Sequence, residues 1–499
     1  MISTPIDHSN HGEDMRADFP VVGPFDRQRT TSFNAEDTIN WYVIQDRRGK
    51  KEEALAGTPG LQLEYQFAAT SLPVRTMITF RNKLFAIAGN IVFRGQVQIG
   101  TIGTVSGFVD FSINNANQIF IVDGSFGYIL DPVLETVTQI TDPAFPAFPA
   151  SCSFLEGFFI VANAQSIEFY ISAPNNGLKW DFKDVAAVNT YGGNIVAVGV
   201  VNKRLFFFKE TSTEVWYLSG DIDFPFRRDN NLIIPDGIIS AGCVKEQDGT
   251  IFWISKDNAG VGSVLASDGV NVKRVSTDAI DILLRSFENI QDVQTYIYKD
   301  DGHMFYVASW TTADCTLVYD STSDYWHRME MLPKKFNPLN PLLSKIRHIS
   351  SCHQFHNNQH YVGDFRTSKV YTMSLNYGDN AGEPIRRIRI LRHFNSPTYN
   401  RIQIDSIQVD FQSGIGDGNV SVTDPDWLPQ AYLSWSKDGG RSFGNERKAP
   451  LGRQGNYQQR TIWRLIGTHR DFVAKLAIYS DVKPIFMLGG AIDFEDLET

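Results

Sequence analysis

The chain has 499 residues, of which 42% are hydrophobic and 12% aromatic, and it carries a formal net charge of −10 at pH 7. This length exceeds what one ordinary hydrophobic core organises, so we expect two or three domains. The acidic charge argues against a protein that reads nucleic acid through a basic surface, and no apolar run approaches the roughly 18 residues of a membrane-spanning helix, so we expect no membrane insertion.

Residues 1–71 are polar and rich in turn-forming residues, and their start lacks the basic and then apolar order of a signal peptide, so we expect synthesis in the cytoplasm. One strand, I-N-W-Y-V-I-Q, and one turn, T-P-G-L, are predicted there; because such a segment buries little by itself, we predict an extended arm. The rings of Trp41 and Tyr42 are costly to leave in water, which favours an arm ordered by a partner over a disordered one. The candidate docking residues are Trp41, Tyr42, Pro59 and Gly60.

A short phrase returns seven times between residues 72 and 378: a polar turn, then a strand with bulky apolar residues at its centre. Its aromatic anchors lie 35, 39, 47, 46, 53 and 56 residues apart and are Phe85, Phe120, Phe159, Phe206, Phe252, Phe305 and Tyr361. This spacing is typical of the blades of a four-stranded propeller, and hairpins that cannot bury both faces must stack around an axis. We predict an all-β chain in which residues 72–378 form a β-propeller of six to seven blades, because the last copy is weak.

One helix is predicted among the strands, near residues 277–288. Ser276 or Thr277 can cap its start, and two aspartates in its first turn complement the helix dipole. Its apolar stripe at helical spacing consists of Ile280, Leu283, Leu284 and Phe287. The simplest place for such a helix is an insertion between blades.

Cysteines and histidines raise the question of a metal or redox site. The four cysteines show no C-x-x-C spacing, and we interpret them as small residues packed on blade strands: Cys152, Cys243, Cys315 and Cys352. The densest ligand-like group is His348, Cys352, His353, His356 and His360. It overlies a hairpin whose alternate side chains point to opposite faces, so His353 and His356 differ in direction. We predict neither a metal site nor a cofactor.

Residues 379–499 change pattern, to strands that alternate apolar with polar residues and are joined by long polar turns. This pattern predicts a second domain, an antiparallel β-sandwich or curved sheet. Two basic clusters lie within it, Arg386–Arg392 and Arg464–Arg470.

The sharpest local motif of this second domain is an Asp box. Ser436, Asp438, Gly440 and Phe443 fit its pattern S-x-D-x-G-x-S/T-W/F. In such a hairpin the Asp and Ser side chains bind backbone amides of the turn and the aromatic ring packs beneath. Asp boxes recur in sialidases, which makes a glycosidase the alternative hypothesis. The box is a folding device, however, and no spacing in the chain picks out the catalytic residues that a sialidase needs, so we predict no enzyme.

Four segments, in the same order, resemble the packaged-DNA stabilisation, or tail hub (nozzle), proteins of short-tailed bacteriophages. They are I-N-W-Y followed by T-P-G-L, the run G-G-N-I-V-A-V-G-V-V to S-T-E-V-W-Y-L-S-G, the helix S-T-D-A-I-D-I-L-L-R-S-F, and S-K-D-G-G-R-S-F-G followed by W-R-L-I-G. The first 35 residues and the stretch from Met331 to Arg347 show no such resemblance.

The resemblance implies a structural protein of the virion tail, assembled in the host cytoplasm. Such hubs form a ring, usually of six copies, below the portal and its adaptor; they continue the channel for double-stranded DNA, help to retain it and carry the needle, plug or fibres. Besides the glycosidase, a propeller that binds a small ligand in its pore is the remaining alternative.

The charge balance bears on such a channel. With 56 acidic and 46 basic residues the chain can supply a neutral or acidic wall along which DNA slides. On this hypothesis Arg386–Arg392 and Arg464–Arg470 face neighbouring subunits or the outside. The alternative is that these arginines form a ring that grips the DNA backbone.

Overall fold

The computed structural model describes residues 15–46, 51–257, 260–332, 345–396, 398–481 and 485–497. The chain divides into two compact units. We call the first, Met1–Gly60 with Tyr325–Leu332 and Leu375–Thr499, the sandwich unit, and the second, Leu61–Asp324 with Pro333–Ser374, the propeller unit. These limits differ from the predicted boundaries after residues 71 and 378, because the N-terminal strands pair with the C-terminal ones.

The N-terminal residues form four short strands, β1 (Met15–Asp18), β2 (Asp37–Ile39), β3 (Trp41–Gln45) and β4 (Glu53–Gly57). A fifth strand, β5 (Gly60–Gln66), leads into the propeller unit.

The propeller unit then forms one antiparallel sheet after another, and each of the first six comes from a contiguous run of the chain. Sheet 1 is β6 (Val74–Phe80), β7 (Lys83–Ala88), β8 (Ile91–Arg94) and β9 (Val97–Thr101). Sheet 2 is β10 (Asp110–Ile113), β11 (Ile119–Val122), β12 (Gly127–Asp131) and β13 (Thr136–Gln139). Sheet 3 is β14 (Pro149–Leu155), β15 (Phe158–Asn163), β16 (Glu168–Ala173) and β17 (Asn176–Ala187). Sheet 4 is β18 (Ile195–Val201), β19 (Arg204–Lys209), β20 (Thr213–Leu218) and β21 (Phe226–Ile234).

The later sheets are less regular. Sheet 5 is β22 (Gly237–Ile238), β23 (Lys245–Gln247), β24 (Thr250–Asp257), β25 (Gly260–Ser267) and β26 (Val272–Arg274), with a 3-10 turn at Ala241–Cys243. The helix α1 (Asp278–Arg285) follows, and the Thr277 hydroxyl caps it by accepting from the Ile280 N–H. Sheet 6 contains β27 (Val293–Asp300), β28 (His303–Trp310) and β29 (Cys315–Asp320). The strand β30 (Tyr325–Arg328) belongs to the sandwich unit.

Sheet 7 closes the propeller. It contains β31 (Ser350–His356), β32 (Gln359–Asp364) and β33 (Lys369–Ser374), with β5 as its fourth strand. One strand from each of sheets 2 to 7 contacts the next in succession, in the order β10, β14, β18, β23, β27 and β31, and β31 contacts β6. Sheets 1 and 2 share one apolar cluster. The innermost strands therefore form a closed circle, which confirms the predicted propeller and sets its blade number at seven.

The repeated phrase is explained by its turns. In six of the seven sheets the turn between the first two strands has two residues with positive φ, such as Arg81 and Asn82 or Asp248 and Gly249. This is the type I′ geometry that matches strand twist and favours Asn, Asp and Gly. The aromatic anchors that follow are all buried: Phe85, Phe120, Phe159, Phe206, Phe252, Phe305 and Tyr361.

The C-terminal strands of the sandwich unit are β34 (Arg387–Ile390), β35 (Arg401–Phe411), β36 (Gln430–Ser436), β37 (Arg447–Pro450), β38 (Thr461–His469), β39 (Val473–Ile478) and β40 (Phe486–Leu497). One sheet has the order β3-β4-β40-β35-β38, and β1 also pairs with β40. The other has the order β2-β34-β39-β36-β37, and β30 pairs with β2 in parallel. Side chains of both sheets share one core, as a sandwich requires.

The prediction of an extended N-terminal arm is wrong for the described residues. Met15 of β1 pairs with Phe494 of β40, and Leu55 of β4 pairs with Met487 of the same strand. Pairings across more than 400 residues leave no trace in a local sequence pattern. Among the described residues, no helix is long and apolar enough to cross a membrane.

Candidate functional site

The Asp-box hairpin is built by hydrogen bonds to its own side chains. The Ser436 hydroxyl accepts from the Gly440 N–H at 2.8 Å and donates to Asp438 Oδ1 at 2.6 Å. Asp438 also accepts from the N–H groups of Arg441 and Ser442, at 3.0 and 2.9 Å, and from the Ser442 hydroxyl at 2.5 Å. These bonds, the one from Ser436 foremost, hold the pKa of Asp438 well below its usual range.

The same box packs onto the N-terminal part of its unit. Gly440 has φ +82°, and a Cβ there would lie 2.6 Å from the Cβ of Ala35, so the turn requires glycine. Phe443 is half-buried, and Lys475 Nζ lies 5.7 Å from the centre of its ring. Both carboxylate oxygens of Asp438 are engaged by the turn, which is the arrangement of a folding device and not of a general acid or base.

The four predicted docking residues lie inside the sandwich unit. Trp41 is fully buried in the apolar core, and Tyr42, Pro59 and Gly60 are buried as well. A Cβ on Gly60 would lie 2.4 Å from the carbonyl oxygen of Asp379. We predicted that a partner protein shields the rings of Trp41 and Tyr42 from water. This prediction is wrong, because the chain itself buries both rings.

Two arginines of the cluster Arg386–Arg392, Arg387 and Arg389, are buried and do not face outward or toward DNA as predicted. Arg389 is fully buried; its Nε donates to the Val21 carbonyl oxygen at 2.8 Å and its Nη1 to Thr38 Oγ1 at 2.8 Å. Burial lowers the pKa of Arg387 to about 10. Arg387 and Arg389 therefore neither face neighbouring subunits or the outside nor grip the DNA backbone. They serve as internal anchors of the sandwich unit.

The cysteines and histidines are packed into propeller blades. All four cysteines are buried, and within the described part of the chain they form no disulfide bond. His353 Nε2 and His360 Nδ1 lie 2.9 Å apart on neighbouring strands, whereas the ring of His356 packs against Tyr361. Burial lowers the pKa of His353 to about 3, so its imidazole is neutral at pH 7. In the parts of the chain that the structure describes, no group of three or more such side chains is placed to hold a metal ion.

A cavity of about 690 Å³ lies among the innermost strands of five of the seven sheets. Its wall is mixed. The charged side chains are Arg75, Lys245, Glu246 and Asp292, and the aromatic ones are Phe108, Phe111, Tyr296, Phe355 and Phe365.

The charged side chains of this cavity differ in the hydrogen bonds that fix them. Arg75 donates to four backbone carbonyl oxygens of nearby turns, and burial lowers its pKa to about 10. Asp292 Oδ2 accepts from both the N–H and the hydroxyl of Thr312 at 2.7 Å. Lys245 Nζ lies 5.4 Å from the centre of the Phe108 ring. Burial raises the pKa of the nearby Asp110, and the charge of Lys245 opposes that rise. Lys245 therefore presents a cation at the cavity wall.

The size of the cavity limits what can enter. Its volume suits a small ligand or a few side chains.

Sequence reasoning missed a buried ion pair in sheet 4. Lys209 and Glu214 are both fully buried, and Lys209 Nζ lies 4.0 Å from Glu214 Oε1. Lys209 donates to the Val188 carbonyl oxygen at 2.9 Å, and Glu214 accepts from the Thr190 N–H at 2.8 Å. The pair fixes the linker between sheets 3 and 4. The sequence does contain a sign of this pair, because a lysine and a glutamate flank the turn between the apolar strands β19 and β20.

A second missed anchor joins sheets 6 and 7. Arg347 is fully buried, and its guanidinium carbon lies 4.0 Å from the centre of the Phe365 ring. Its Nη1 donates to Gln294 Oε1 at 3.1 Å and to Thr311 Oγ1 at 2.7 Å. Nothing in the local pattern distinguishes this arginine from a surface one.

Comparisons with known families match both units. A family model described as bacteriophage P22 Gp10, beta-propeller, matches residues 18–377. A second, described as bacteriophage P22 Gp10, beta-sandwich, matches residues 388–489. A comparison with curated proteins finds no significant match.

Solved structures show more remote similarities. The extracellular domain of a protein described as a hybrid two-component system of B. thetaiotaomicron has 10% identity and a TM-score of 0.41, over 72% of this chain and 44% of that one. The chain thus spans less than half the length of that structure. The computationally designed Ika8 protein has 9% identity and a TM-score of 0.37, over 68% of this chain and 100% of its own. U3-55K has 8% identity and a TM-score of 0.39, over 63% and 98%.

Proposed function

Because the chain belongs to the bacteriophage P22 Gp10 family, we propose that it is a structural component of a phage tail that stabilises packaged DNA in the virion. The observation that carries this proposal is the match of the two family models, in order, to residues 18–377 and 388–489. The protein is assembled onto virus particles in the host cytoplasm.

The copies form a closed ring, six in number, beneath the portal and its adaptor. The needle, plug or fibres attach to the far side of this ring. A ring needs rigid subunits, since head-to-tail contacts close only at one defined rotation. Seven stacked sheets supply such rigidity, since six of them have a type I′ turn and all seven have a buried aromatic anchor.

The DNA passes between the copies and not through any propeller unit. The volume of about 690 Å³ within the propeller supports this placement. With a net charge of −10, the surfaces around the path repel phosphate weakly, so that the duplex can slide out at ejection. Arg387 and Arg389 take no part in gripping DNA because they are buried. Arg464 and Arg470 are exposed, and we place them on a face of the ring that is turned away from the path.

The protein acts by shape and not by turnover. In the Asp box, the carboxylate of Asp438 serves the turn, and the box contributes folding stability only. Purified protein should therefore leave sialosides and other glycans intact. Hydrolysis that disappears on substitution of a cavity carboxylate such as Asp292→Asn would overturn this statement.

The proposed function is tested with DNA-filled heads that lack this protein. Added wild-type protein should bind the heads and make their DNA resistant to nuclease. A matched control is the same addition to heads that also lack the adaptor, where no binding is expected. Failure of the protein to bind adaptor-bearing heads, or binding that leaves the DNA as nuclease-sensitive as before, would refute the proposal.

A further inference from the structure

The hairpin between β20 and β21 exposes an apolar side chain at its tip. Ile222 is 97% exposed, which is the highest value among the large exposed hydrophobic side chains of the described residues. Its neighbours Asp221 and Asp223 are acidic, and Asp223 is exposed. Exposing an isoleucine side chain to water is unfavourable, and covering it with another surface lowers the free energy.

The tip is held in shape before any partner arrives. The N–H groups of Ser219 and Gly220 both donate to the Pro225 carbonyl oxygen, at 2.8 and 3.3 Å. The Ser219 hydroxyl donates to the same oxygen at 3.0 Å, and Arg227 pairs with Asp221 across the loop. A preordered loop loses little conformational entropy on binding.

The central cavity of the propeller unit has the complementary chemistry. Leu72 and Val105 on its wall are 40% and 53% exposed and offer apolar surface to a ligand. Inside, Lys245 presents a cation over the Phe108 ring. Its volume of about 690 Å³ lies within the range of about 300 to 1,000 Å³ in which proteins hold compact ligands. It accommodates an isoleucine flanked by one carboxylate.

The hairpin lies apart from the cavity of its own chain, because none of the residues 219–225 lines that cavity. Leu72 and Val105 precede the first strands of their sheets, so this part of the wall lies at the end of the propeller where first strands begin. The loop 219–225 follows the third strand of sheet 4, and in an antiparallel sheet that turn lies at the opposite end. A contact between tip and cavity must therefore join two copies head to tail.

We infer that the tip of the β20–β21 hairpin inserts into the central cavity of a second copy of this chain. Ile222 packs against the aromatic wall, and Asp223 pairs with Lys245 of the neighbouring copy. The inference rests on the proposed ring and names one of its contacts. It also places the propeller cavities within the contacts between copies, away from the DNA path.

The contact is tested with a cyclised peptide of residues 217–227 titrated into the full-length protein by calorimetry. One peptide should bind each chain, and the Ile222→Ser peptide should bind at least tenfold more weakly. The Phe108→Ala protein should also bind the wild-type peptide at least tenfold more weakly. Equal affinity of the two peptides, or no binding of the wild-type peptide, would overturn the inference.

Exchanging the charges of Asp223 and Lys245 distinguishes a lost contact from a misfolded variant. The Asp223→Lys peptide should lose binding to the wild-type protein and regain it with the Lys245→Glu protein, whose fold is checked by its thermal melting. Failure of this exchange overturns the pairing. A single-stranded oligonucleotide that binds the cavity and depends on Lys245, while no peptide binds, would assign the cavity to nucleic acid instead. Peptide binding can fail while head attachment persists, so this inference and the proposed function fail separately.

Discussion

The propeller unit and the sandwich unit build their cores by different routes. Each of the first six propeller sheets comes from one contiguous run, and its strands meet neighbours in the sequence. The sandwich unit draws its strands from three distant segments, and Met15 pairs with Phe494. Buried polar anchors such as Arg389 tie those segments together. A single substitution should therefore act locally in the propeller and across the whole unit in the sandwich.

The largest effect is expected for Arg389→Met in the sandwich unit. The change leaves Glu36 and several carbonyl oxygens without their donor, and breaking a buried pair costs about 3 to 5 kcal/mol. Backbone amides of the N-terminal strands should lose hydrogen-exchange protection, while those of sheets 2 and 3 keep theirs. The Arg389→Lys variant is the matched control and should be intermediate, because it keeps the charge but not the fork of donors. Unchanged protection of β1 to β4 would contradict this view of the sandwich unit.

The propeller counterpart is Lys209→Met. It leaves the buried Glu214 carboxylate uncompensated and should lower the free energy of unfolding by about 3 kcal/mol. Protection should fall in the linker between sheets 3 and 4 and persist in the sandwich unit. In the double variant Lys209→Met with Glu214→Gln, much of the loss should be recovered, since no unpaired charge remains. A double variant as unstable as the single one would show that the pair is not the cause.

Two glycines of the sandwich unit separate backbone strain from packing. Gly440 and Gly455 have φ of +82° and +84°, but only Gly440 faces a neighbour, at 2.6 Å from a built Cβ. Gly455→Ala should cost about 1 kcal/mol through its left-handed backbone. Gly440→Ala should cost about 1 to 2 kcal/mol more, because its methyl group overlaps Ala35. Equal losses of stability in denaturant titrations would mean that the Asp box does not pack onto the N-terminal segment.

The smallest effect concerns pH. Burial lowers the pKa of His348 and of His353 to about 3, against an ordinary value of about 6.5. The unfolded chain therefore binds more protons as the pH falls from about 6.5 toward about 3, and folding stability decreases across that window. Each imidazole should contribute a loss of about 1 to 2 kcal/mol between pH 7 and pH 5.5.

In the sandwich unit, His393 shows a pKa shift of the opposite sign. The hydrogen bond from His393 to Asp471 raises the pKa of His393, so its contribution to stability is present below about pH 6.5 and is lost as the pH rises through the folded pKa. Thermal melting of His348→Asn should show a flatter dependence on pH than the wild type on the acid side. His393→Asn should be less stable than the wild type below about pH 6.5, and this difference should shrink as the pH rises through the folded pKa of His393. A His348→Asn profile parallel to that of the wild type would contradict the assignment.

The sequence predicts the propeller well because its information is local. A type I′ turn such as Asp248-Gly249 and the buried anchor after it can be read from a few residues. The Asp box, centred on Asp438, is predicted for the same reason. The N-terminal strands are not, because their partners lie at the far end of the chain. The buried Arg387 and Arg389 resemble a surface cluster, since no pattern of neighbours reveals that carbonyl oxygens of residues 21–38 surround one of them.

We propose that copies of this chain form a rigid ring around the DNA, with each propeller axis outside the path. Electron cryo-microscopy of DNA-filled heads to which the protein has been added tests this arrangement. We expect six copies around an axial channel that holds duplex density, with the propeller cavities off that axis and facing neighbouring copies. Duplex density that runs along a propeller axis, or an absence of the protein from the tail, would refute the proposed ring.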